Sequence, residues 1–254
     1  ALLLLITPLS FGQIKLSERA EISVLTLGPW QGQTYTAFGH SAFRVLDPLN
    51  AIDAAYNYGV FDYDQPNFYV NFALGNNMYM LGVMDYRTFE YTYMYYNRYI
   101  HEQVLNLTPF QKQRLFDFLQ WNARPENREY LYDYFYDNCA TKIPEVMLKV
   151  FGDSVVFDGS YIQTEYSFRE LTDLYLKYQP WGDLGIDVGL GLPTDKIATP
   201  YEYMFLPDYV ESGFAHATMM AEGEKRPLVK RTNIIYESSP EEHTIWYYHP
   251  LLVF

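Results

Sequence analysis

The chain has 254 residues, enough for one sizeable hydrophobic core, and nothing in its composition requires a second globular domain. Its 18 basic and 31 acidic residues give a net charge of −13 with no cluster of lysines and arginines, which argues against binding to nucleic acid. Aromatic residues make up 19% of the chain, a proportion that suits cores, lipid interfaces and sugar faces alike and selects no function by itself.

The two ends of the chain are apolar. Residues 1–12 form a run that is too short to span a bilayer and ends in small residues, which predicts the remnant of a secretory signal peptide, cleaved after Gly12. A buried N-terminal strand is the alternative. Residues 246–254 follow an aromatic cluster, and this is typical either of the start of a transmembrane segment or of a strand packed on the core. Residues 13–245 then form a single extracytoplasmic domain.

The first half of this domain predicts antiparallel strands. The turn Asp47-Pro48-Leu49-Asn50 separates two β-like runs, which favours a hairpin of 37–46 and 53–63. Alternating tyrosines and apolar residues extend the strand pattern over 79–85 and 88–104.

The second half is mainly helical in pattern. Thr108-Pro109 is typical of a helix start, and Ser167 to Glu170 has the spacing of a capping box. Gly152 suits the C′ position of a helix that follows the only cysteine. Helices are predicted over 66–74, 108–122, 128–136, 143–151 and 167–178, a glycine-rich loop over 180–200, and a final strand over 229–236.

Cys139 lies in Asp137-Asn138-Cys139-Ala140-Thr141, where a polar turn leads into a helix. A thiolate at a helix start is stabilised by the helix dipole, and backbone N–H groups there can hold the oxyanion of a tetrahedral intermediate. The pattern predicts a nucleophile, against the alternative of a small buried hydrophobe. Pro144 leaves the helix start open. Either Asn138 caps the helix and the proline kinks it, or Thr141 caps it and the thiol sits in the preceding turn.

His40 is the candidate base for this nucleophile. It opens the strand-like segment His40-Ser41-Ala42-Phe43-Arg44-Val45, and its small neighbours leave room for a substrate. Cys/His partners meet in space rather than in sequence, so the long separation from Cys139 is no objection.

A base usually needs a residue that orients it. If the hairpin closes around Asp47 to Ile52, Asn57 comes opposite His40, and Tyr58 and Asp62 are the alternatives. The histidines show no spacing typical of metal ligands, so no metal site is expected.

Three segments together resemble the periplasmic domain of Lnb-type lipoprotein N-acyltransferases: 38–45, Tyr56-Asn57-Tyr58-Gly59-Val60-Phe61-Asp62, and 127–141, which ends in Asp137-Asn138-Cys139-Ala140-Thr141. The order of histidine, hairpin partner and Asn-Cys also resembles the permuted papain-like (NlpC-like) fold of lecithin retinol acyltransferase relatives. The resemblance implies an α+β domain with an antiparallel sheet, His40 on a strand and Cys139 at a helix N-terminus.

The resemblance also implies an activity, an acyl transfer that needs no cofactor. Cys139 would attack the ester of the sn-2 chain on a diacylglyceryl lipoprotein, with His40 moving the proton. The lipoprotein's own N-terminal cysteine amine would then aminolyse the thioester and leave a lyso-form lipoprotein. The implied partners are diacylated bacterial lipoproteins, or lipid acyl chains, and a membrane. The implied location is the periplasmic face of the cytoplasmic membrane, with anchoring by segments beyond residue 254.

Two other functions fit the same residues. A cell-wall cysteine peptidase or amidase of papain-like fold uses the same Cys/His chemistry and predicts a polar groove instead of a lipid tunnel. A non-enzymatic module that binds glycans or lipids through its aromatic surface predicts that Cys139→Ala leaves function unchanged.

Overall fold

Strands form two sheets in the structure, a computed structural model that describes residues 14–240 except 62–63, 65, 68–70 and 72–74. The strands are β1 Glu21–Leu27, β2 His40–Asp47, β3 Ile52–Val60, β4 Met78–Asp85, β5 Ile100–Leu105, β6 Glu129–Leu131, β7 Val155–Val156, β8 Thr218–Ala221, β9 Glu224–Pro227 and β10 Val229–Tyr236. The larger sheet has the order β10-β5-β1-β2-β3-β4-β6, and β7, β8 and β9 form the smaller one. Every pairing between these strands is antiparallel.

Helices cover both faces of the larger sheet. They are α1 Tyr86–Tyr95, α2 Pro109–Asn122, α3 Lys142–Phe151, α4 Phe168–Leu176, α5 Pro180–Leu190 and α6 Pro207–His216. Side chains of α2, α3 and α6 form one core with Ile22, Val24, Phe43, Val45 and Tyr56 of the sheet. Full burial of each such apolar side chain contributes about 1.5–3 kcal/mol to folding. The fold is therefore α+β with an antiparallel sheet, as the sequence predicts.

The predicted hairpin is present as β2 and β3. Its register runs from Phe43 opposite Tyr56 to Asp47 opposite Ile52. Asp47 closes the turn, because its carboxylate accepts hydrogen bonds from the Leu49 N–H at 3.3 Å and from the Asn50 side chain at 2.7 Å. The same carboxylate accepts from the Ser17 N–H at 2.7 Å and so ties the chain before β1 to the hairpin.

The strand predicted over 88–104 is wrong in its first part, which is helix α1. The Asp85 side chain accepts the Thr88 N–H at 3.1 Å and caps the helix. Tyr86 and Phe89 are buried on its inner face, whereas Tyr91, one of the alternating tyrosines, is 68% exposed. Helical spacing of the inward rings therefore prevails over the alternation, and only β5 remains as a strand.

Two further predictions are wrong. The helix predicted over 128–136 is strand β6 followed by a turn, because Tyr130 pairs with Tyr79 of β4 and the Asp133 side chain accepts the Phe135 N–H at 2.9 Å. The loop predicted over 180–200 contains helix α5, which begins at Pro180, and Arg169 of α4 pairs with Asp187 on it. The glycines that suggested a loop lie within or at the end of this helix, and the ion pair with Arg169 is one contact that holds the helix in place.

The remaining helices and the final strand agree with prediction. Capping boxes are formed by Thr108 with Gln111 and by Ser167 with Glu170, and Gly152 follows α3 with a φ of 56°. The predicted helix over 66–74, the leader over 1–12 and the segment 246–254 lie outside the described residues, apart from single positions in the first of these ranges.

Candidate active site

Asn138 holds the turn that carries Cys139. Its side-chain oxygen accepts the N–H groups of Ala140 at 2.7 Å and Thr141 at 2.9 Å, and its amide donates to the carbonyls of Tyr134 at 2.8 Å and Phe205 at 2.9 Å. Asn138 is buried, with 7% of its surface exposed. All of its side-chain hydrogen bonds therefore hold the backbone around the thiol in one conformation.

Helix α3 begins after this turn. Thr141 is its N-cap, so Pro144 falls within the first helical turn, where a proline removes an N–H that has no intrahelical partner. Of the two helix starts left open by the sequence, the one at Thr141 is correct, and Cys139 sits in the preceding turn. The N–H groups of Ala140 and Thr141, candidates for an oxyanion hole, are engaged by Asn138.

His40 is the first residue of β2 and faces α1, where its ring stacks on Tyr93 with centroids 6.3 Å apart. Its Nε2 is hydrogen-bonded to Oδ1 of Asn57. With the amide oxygen as acceptor, Nε2 carries the proton and Nδ1 of the neutral ring carries the lone pair. The structure thus brings together the histidine and the asparagine that the sequence pairs.

The hairpin register makes this contact diagonal. The prediction that Asn57 comes opposite His40 is wrong. The pairing of β2 with β3 ends at Phe43 opposite Tyr56, and the same register continued would place Asn57 opposite Ala42. The Asn57 side chain therefore reaches His40 diagonally across the sheet face. Tyr58, one alternative, donates to Asn122 at 2.6 Å and packs in the core on the other face. Asp62, the other alternative, lies outside the described residues.

Gly59 is the point where His40 and Cys139 approach each other. A Cβ atom built on Gly59 would lie 3.1 Å from Cβ of Cys139 and 3.8 Å from Cε1 of His40. Gly59 has a φ of 88° and sits where the pairing of β3 with β4 shifts register between Asn57 and Val60. A glycine bulge therefore makes room for the thiol and the imidazole at the end of the sheet.

The pair is electrically neutral at neutral pH. Burial lowers the pKa of His40 to about 4, despite the opposing effect of the Asn57 hydrogen bond. Burial also raises the pKa of the Cys139 thiol to about 11, although backbone N–H groups of Ser41, Ala140 and Cys139 itself act to lower it. A neutral imidazole beside a neutral thiol can accept its proton, so the arrangement suits general-base activation of a nucleophile.

Three tyrosines and an arginine lie close enough to the thiol to interact with it electrostatically. Tyr93, Tyr130 and Tyr132 are near enough for a charge on Cys139 to raise the pKa of their hydroxyls, which burial already raises. Arg98 lies with its guanidinium 4.5 Å from the centre of the Tyr93 ring. A cleft of about 510 Å³ lined by Trp30, Tyr175 and Asp208, among others, includes neither His40 nor Cys139.

Sequence reasoning singled out neither Gly59 nor Arg98. A glycine inside a strand pattern is a signal for a bulge or a close approach, and Gly59 carries that signal. Arg98 stands alone in the tyrosine-rich run 91–99, and no local pattern indicates that it turns toward Cys139.

The fold and the site define an α+β protein in which Cys139 and His40 both lie against Gly59 at the end of an antiparallel sheet. The model of the Lnb N-terminal periplasmic domain matches residues 13–173, more than half of the chain, and the chain belongs to this family. This confirms the family inferred from the sequence motifs and places the domain on the extracytoplasmic side, in the periplasm. No curated protein and no solved structure matches the chain. Within the described residues, no helix has both the length and the hydropathy needed to cross a bilayer.

The pKa of His40 predicts how stability depends on pH. Between pH 6.5 and about 4 the unfolded chain binds a proton at this residue and the folded protein does not, so the free energy of unfolding falls as pH falls. The loss attributable to His40 is up to about 3 kcal/mol. Urea unfolding should show that the free energy of unfolding falls less between pH 7 and pH 4.5 for His40→Gln than for the wild type. The exposed His216→Gln variant should match the wild type, and equal losses in all three proteins would contradict the prediction.

The glycine bulge predicts a steric effect. In Gly59→Ala the new methyl group meets Cβ of Cys139, whereas Gly223, with a φ of 82°, has no heavy atom within 4 Å of its Cβ position. Both variants place alanine in a strained backbone region, at a cost of about 1–2 kcal/mol. Thermal unfolding should show that Gly59→Ala loses more stability than Gly223→Ala, by about 1–3 kcal/mol, because the new methyl group overpacks the site. Equal losses of stability in the two variants would show that Cβ of Cys139 does not pack tightly against Gly59.

The raised pKa of the thiol predicts its reactivity. Since only the thiolate reacts, alkylation of Cys139 by iodoacetamide should speed up about tenfold per pH unit from pH 7 to pH 10, with no plateau, because the pKa is about 11. The same protein unfolded in urea should plateau near the ordinary pKa of cysteine. A plateau near neutral pH in the folded protein would mean that the site holds a preformed thiolate.

Proposed function

We propose that this domain is a thiol acyltransferase that moves an acyl chain of a diacylated lipoprotein to the lipoprotein's N-terminal cysteine amine. The observation that carries the proposal is the approach of His40 and Cys139 at Gly59, with Asn57 bound to the far nitrogen of the imidazole. Membership of the Lnb family supports the lipoprotein as substrate. The permuted papain-like arrangement, with histidine before cysteine in the chain, is part of the proposal.

The first half-reaction forms a thioester. Nδ1 of His40 takes the proton of Cys139 as the sulfur attacks the carbonyl carbon of the sn-2 ester. The tetrahedral intermediate then collapses, the bond from the carbonyl carbon to the glycerol oxygen breaks, and His40 returns its proton to that oxygen. The products are an acylated Cys139 and a free glycerol hydroxyl on the lipoprotein.

The second half-reaction releases the enzyme. The N-terminal amine of the lipoprotein attacks the thioester carbonyl, His40 takes a proton from the amine nitrogen, and the carbon–sulfur bond breaks. The proton passes to the sulfur and restores the neutral thiol. The net change is the transfer of one acyl chain from oxygen to nitrogen, with no free cofactor and no water consumed.

The neutral ground state of the pair suits this sequence. A thiol with a raised pKa is a strong nucleophile once deprotonated, and a neutral imidazole is ready to deprotonate it. The hydrogen bond from Nε2 to Asn57 keeps the lone pair on Nδ1 and stabilises the imidazolium during the reaction. The tyrosine rings around Cys139 supply apolar faces against which an acyl chain can lie.

The test uses the complete protein and a synthetic diacylglyceryl-cysteine lipopeptide. Because substrate and product have the same mass, fragmentation mass spectrometry must locate the acyl chain. We expect transfer to the amine by the wild type, none by Cys139→Ala, and a rate lower by about 10²–10⁴-fold for His40→Gln, the range for loss of a general base.

Controls separate chemistry from folding. Asn57→Leu should keep the fold and reduce the rate less than His40→Gln, and thermal unfolding establishes that each variant is folded. Transfer at the wild-type rate by folded Cys139→Ala would sink the thioester mechanism. Absence of transfer by the wild type, together with cleavage of a peptidoglycan fragment, would replace the proposal with a peptidase.

A further inference from the structure

Arg98 is a buried cation that forms no ion pair with a carboxylate among the residues that the structure describes. Only 7% of its surface is exposed. Its Nε donates to the carbonyl of Gly28, and its backbone N–H donates to the carbonyl of Tyr93 at 2.9 Å. Its Nη2 is buried and has no hydrogen-bond partner in the described part of the chain. Buried polar groups of this kind are rare, because an unsatisfied charge loses its hydration with nothing in return.

Comparison with Arg44 shows what Arg98 lacks. Arg44 also lies over a tyrosine, 3.5 Å from the centre of the Tyr86 ring, but it pairs with Asp53 at 2.8 Å and Glu102 at 3.0 Å. The groups whose charge acts most on Arg98 are instead Tyr93, Cys139, Tyr99 and Tyr35. The one strongly nucleophilic group in that set is the thiol of Cys139.

The position of Arg98 fits the reacting atoms. The guanidinium lies over Tyr93, and the other stacking partner of Tyr93 is His40, with the two rings only 12° from parallel. The positive charge of Arg98 lowers the pKa of both Cys139 and His40. The cation is therefore next to the Tyr93 ring that also contacts His40, and it is close enough to act electrostatically on both reacting groups.

The backbone donors near the thiol already have acceptors, since the N–H groups of Ser41, Ala140 and Cys139 interact with the sulfur itself. The N–H groups of Ala140 and Thr141, which a helix start normally offers to an oxyanion, are engaged by the Asn138 side chain. A tetrahedral intermediate on Cys139 still carries a full negative charge on oxygen, and each well-placed donor to that oxygen accelerates the reaction by about 10²–10³-fold.

We propose that Arg98 is the anion-binding group of this site: its Nη2 binds the carbonyl oxygen of the acyl group as that oxygen becomes an oxyanion, and its charge stabilises the Cys139 thiolate. The oxyanion part rests on the proposed acyl transfer. The thiolate part does not, so the two can fail separately.

The first test needs no lipid substrate. At fixed pH, iodoacetamide, a neutral reagent, should alkylate Cys139 about tenfold more slowly in Arg98→Gln, corresponding to a rise of about one unit in the thiol pKa. Arg98→Lys keeps the charge and should retain most of the wild-type rate. Arg231→Gln removes an exposed charge paired with Glu21 and serves as the control that leaves the rate unchanged.

Folding defects are kept apart from electrostatics. Thermal unfolding establishes which variants are folded. If Arg98→Gln does not fold, a measurement on the wild type alone still tests the proposal. This measurement compares alkylation of Cys139 by anionic iodoacetate and by neutral iodoacetamide, in about 0.15 M salt, which screens the negative surface. Because Arg98 attracts the anion, the ratio of the iodoacetate rate to the iodoacetamide rate should be roughly tenfold higher for Cys139 than for glutathione. A ratio at or below that of glutathione, or equal alkylation rates in folded Arg98→Gln and wild type, would overturn the proposal.

The second test uses acyl transfer by the complete protein. Arg98→Gln should lower kcat by about 10²–10³-fold with little change in KM, because the oxyanion exists only in the transition state and intermediate. An unchanged kcat with slowed alkylation would overturn the oxyanion role and retain the thiolate role. Slowed alkylation in a protein whose wild type transfers no acyl chain would support the role of Arg98 in thiolate stabilisation and reject the proposed function.

Discussion

The hydrogen bonds of the Asn138 side chain are the constraint on which the rest of the site depends. They join the Cys139 turn to Tyr134 on one side and to Phe205, far along the chain, on the other. Without them the turn would have several conformations, and the thiol would lose its place against Gly59. The Asn138 side chain also accepts hydrogen bonds from the N–H groups of Ala140 and Thr141. The bonds that make this turn rigid thus occupy backbone donors, and for this reason the proposal assigns anion binding to Arg98.

Desolvation has opposite effects on the two members of the pair. It disfavours the imidazolium of His40 and the thiolate of Cys139, and it therefore stabilises the neutral forms of both. An ion pair of the kind found in some cysteine enzymes is not the resting state here. In the proposed reaction, the charges form together with the tetrahedral intermediate, when Arg98 and Asn57 can each stabilise one of them. In such a site, both groups stay neutral until a carbonyl carbon is in place for attack.

Local patterns allowed much of the fold to be predicted. The hairpin, helices α2, α3 and α4 and strand β10 follow from turn residues, caps and periodicity. The choice of His40 and Cys139 followed from motifs at a strand start and a turn, and that of Asn57 from the expected register of the hairpin. The helix in place of a strand at α1 was missed because its tyrosines repeat both at every second position and at helical spacing. Helix α5 was missed because its glycines resemble those of a loop, and its charged partner, Arg169, lies outside the segment.

Other features depend on tertiary structure and leave little trace in the sequence. The burial of Arg98 beside Tyr93 requires α1 to fold back on the sheet, and the closeness of Gly59 to Cys139 requires the bulge in β3 and the turn held by Asn138. The diagonal contact of Asn57 with His40 depends on where the pairing of β2 with β3 ends, at Tyr56, one residue before Asn57. No pattern within a short window determines any of these distances.

The raised pKa of Cys139 has a consequence for survival in the compartment where this domain resides. The periplasm is oxidising, and a lone cysteine there is exposed to disulfide exchange and to conversion into sulfenic acid, both of which proceed through the thiolate. With a pKa of about 11, only about one molecule in 10⁴ carries the thiolate at pH 7, against a few per cent for a free cysteine. The desolvation that keeps the nucleophile quiet also protects it from damage, so a single unpaired cysteine can persist without a resolving partner.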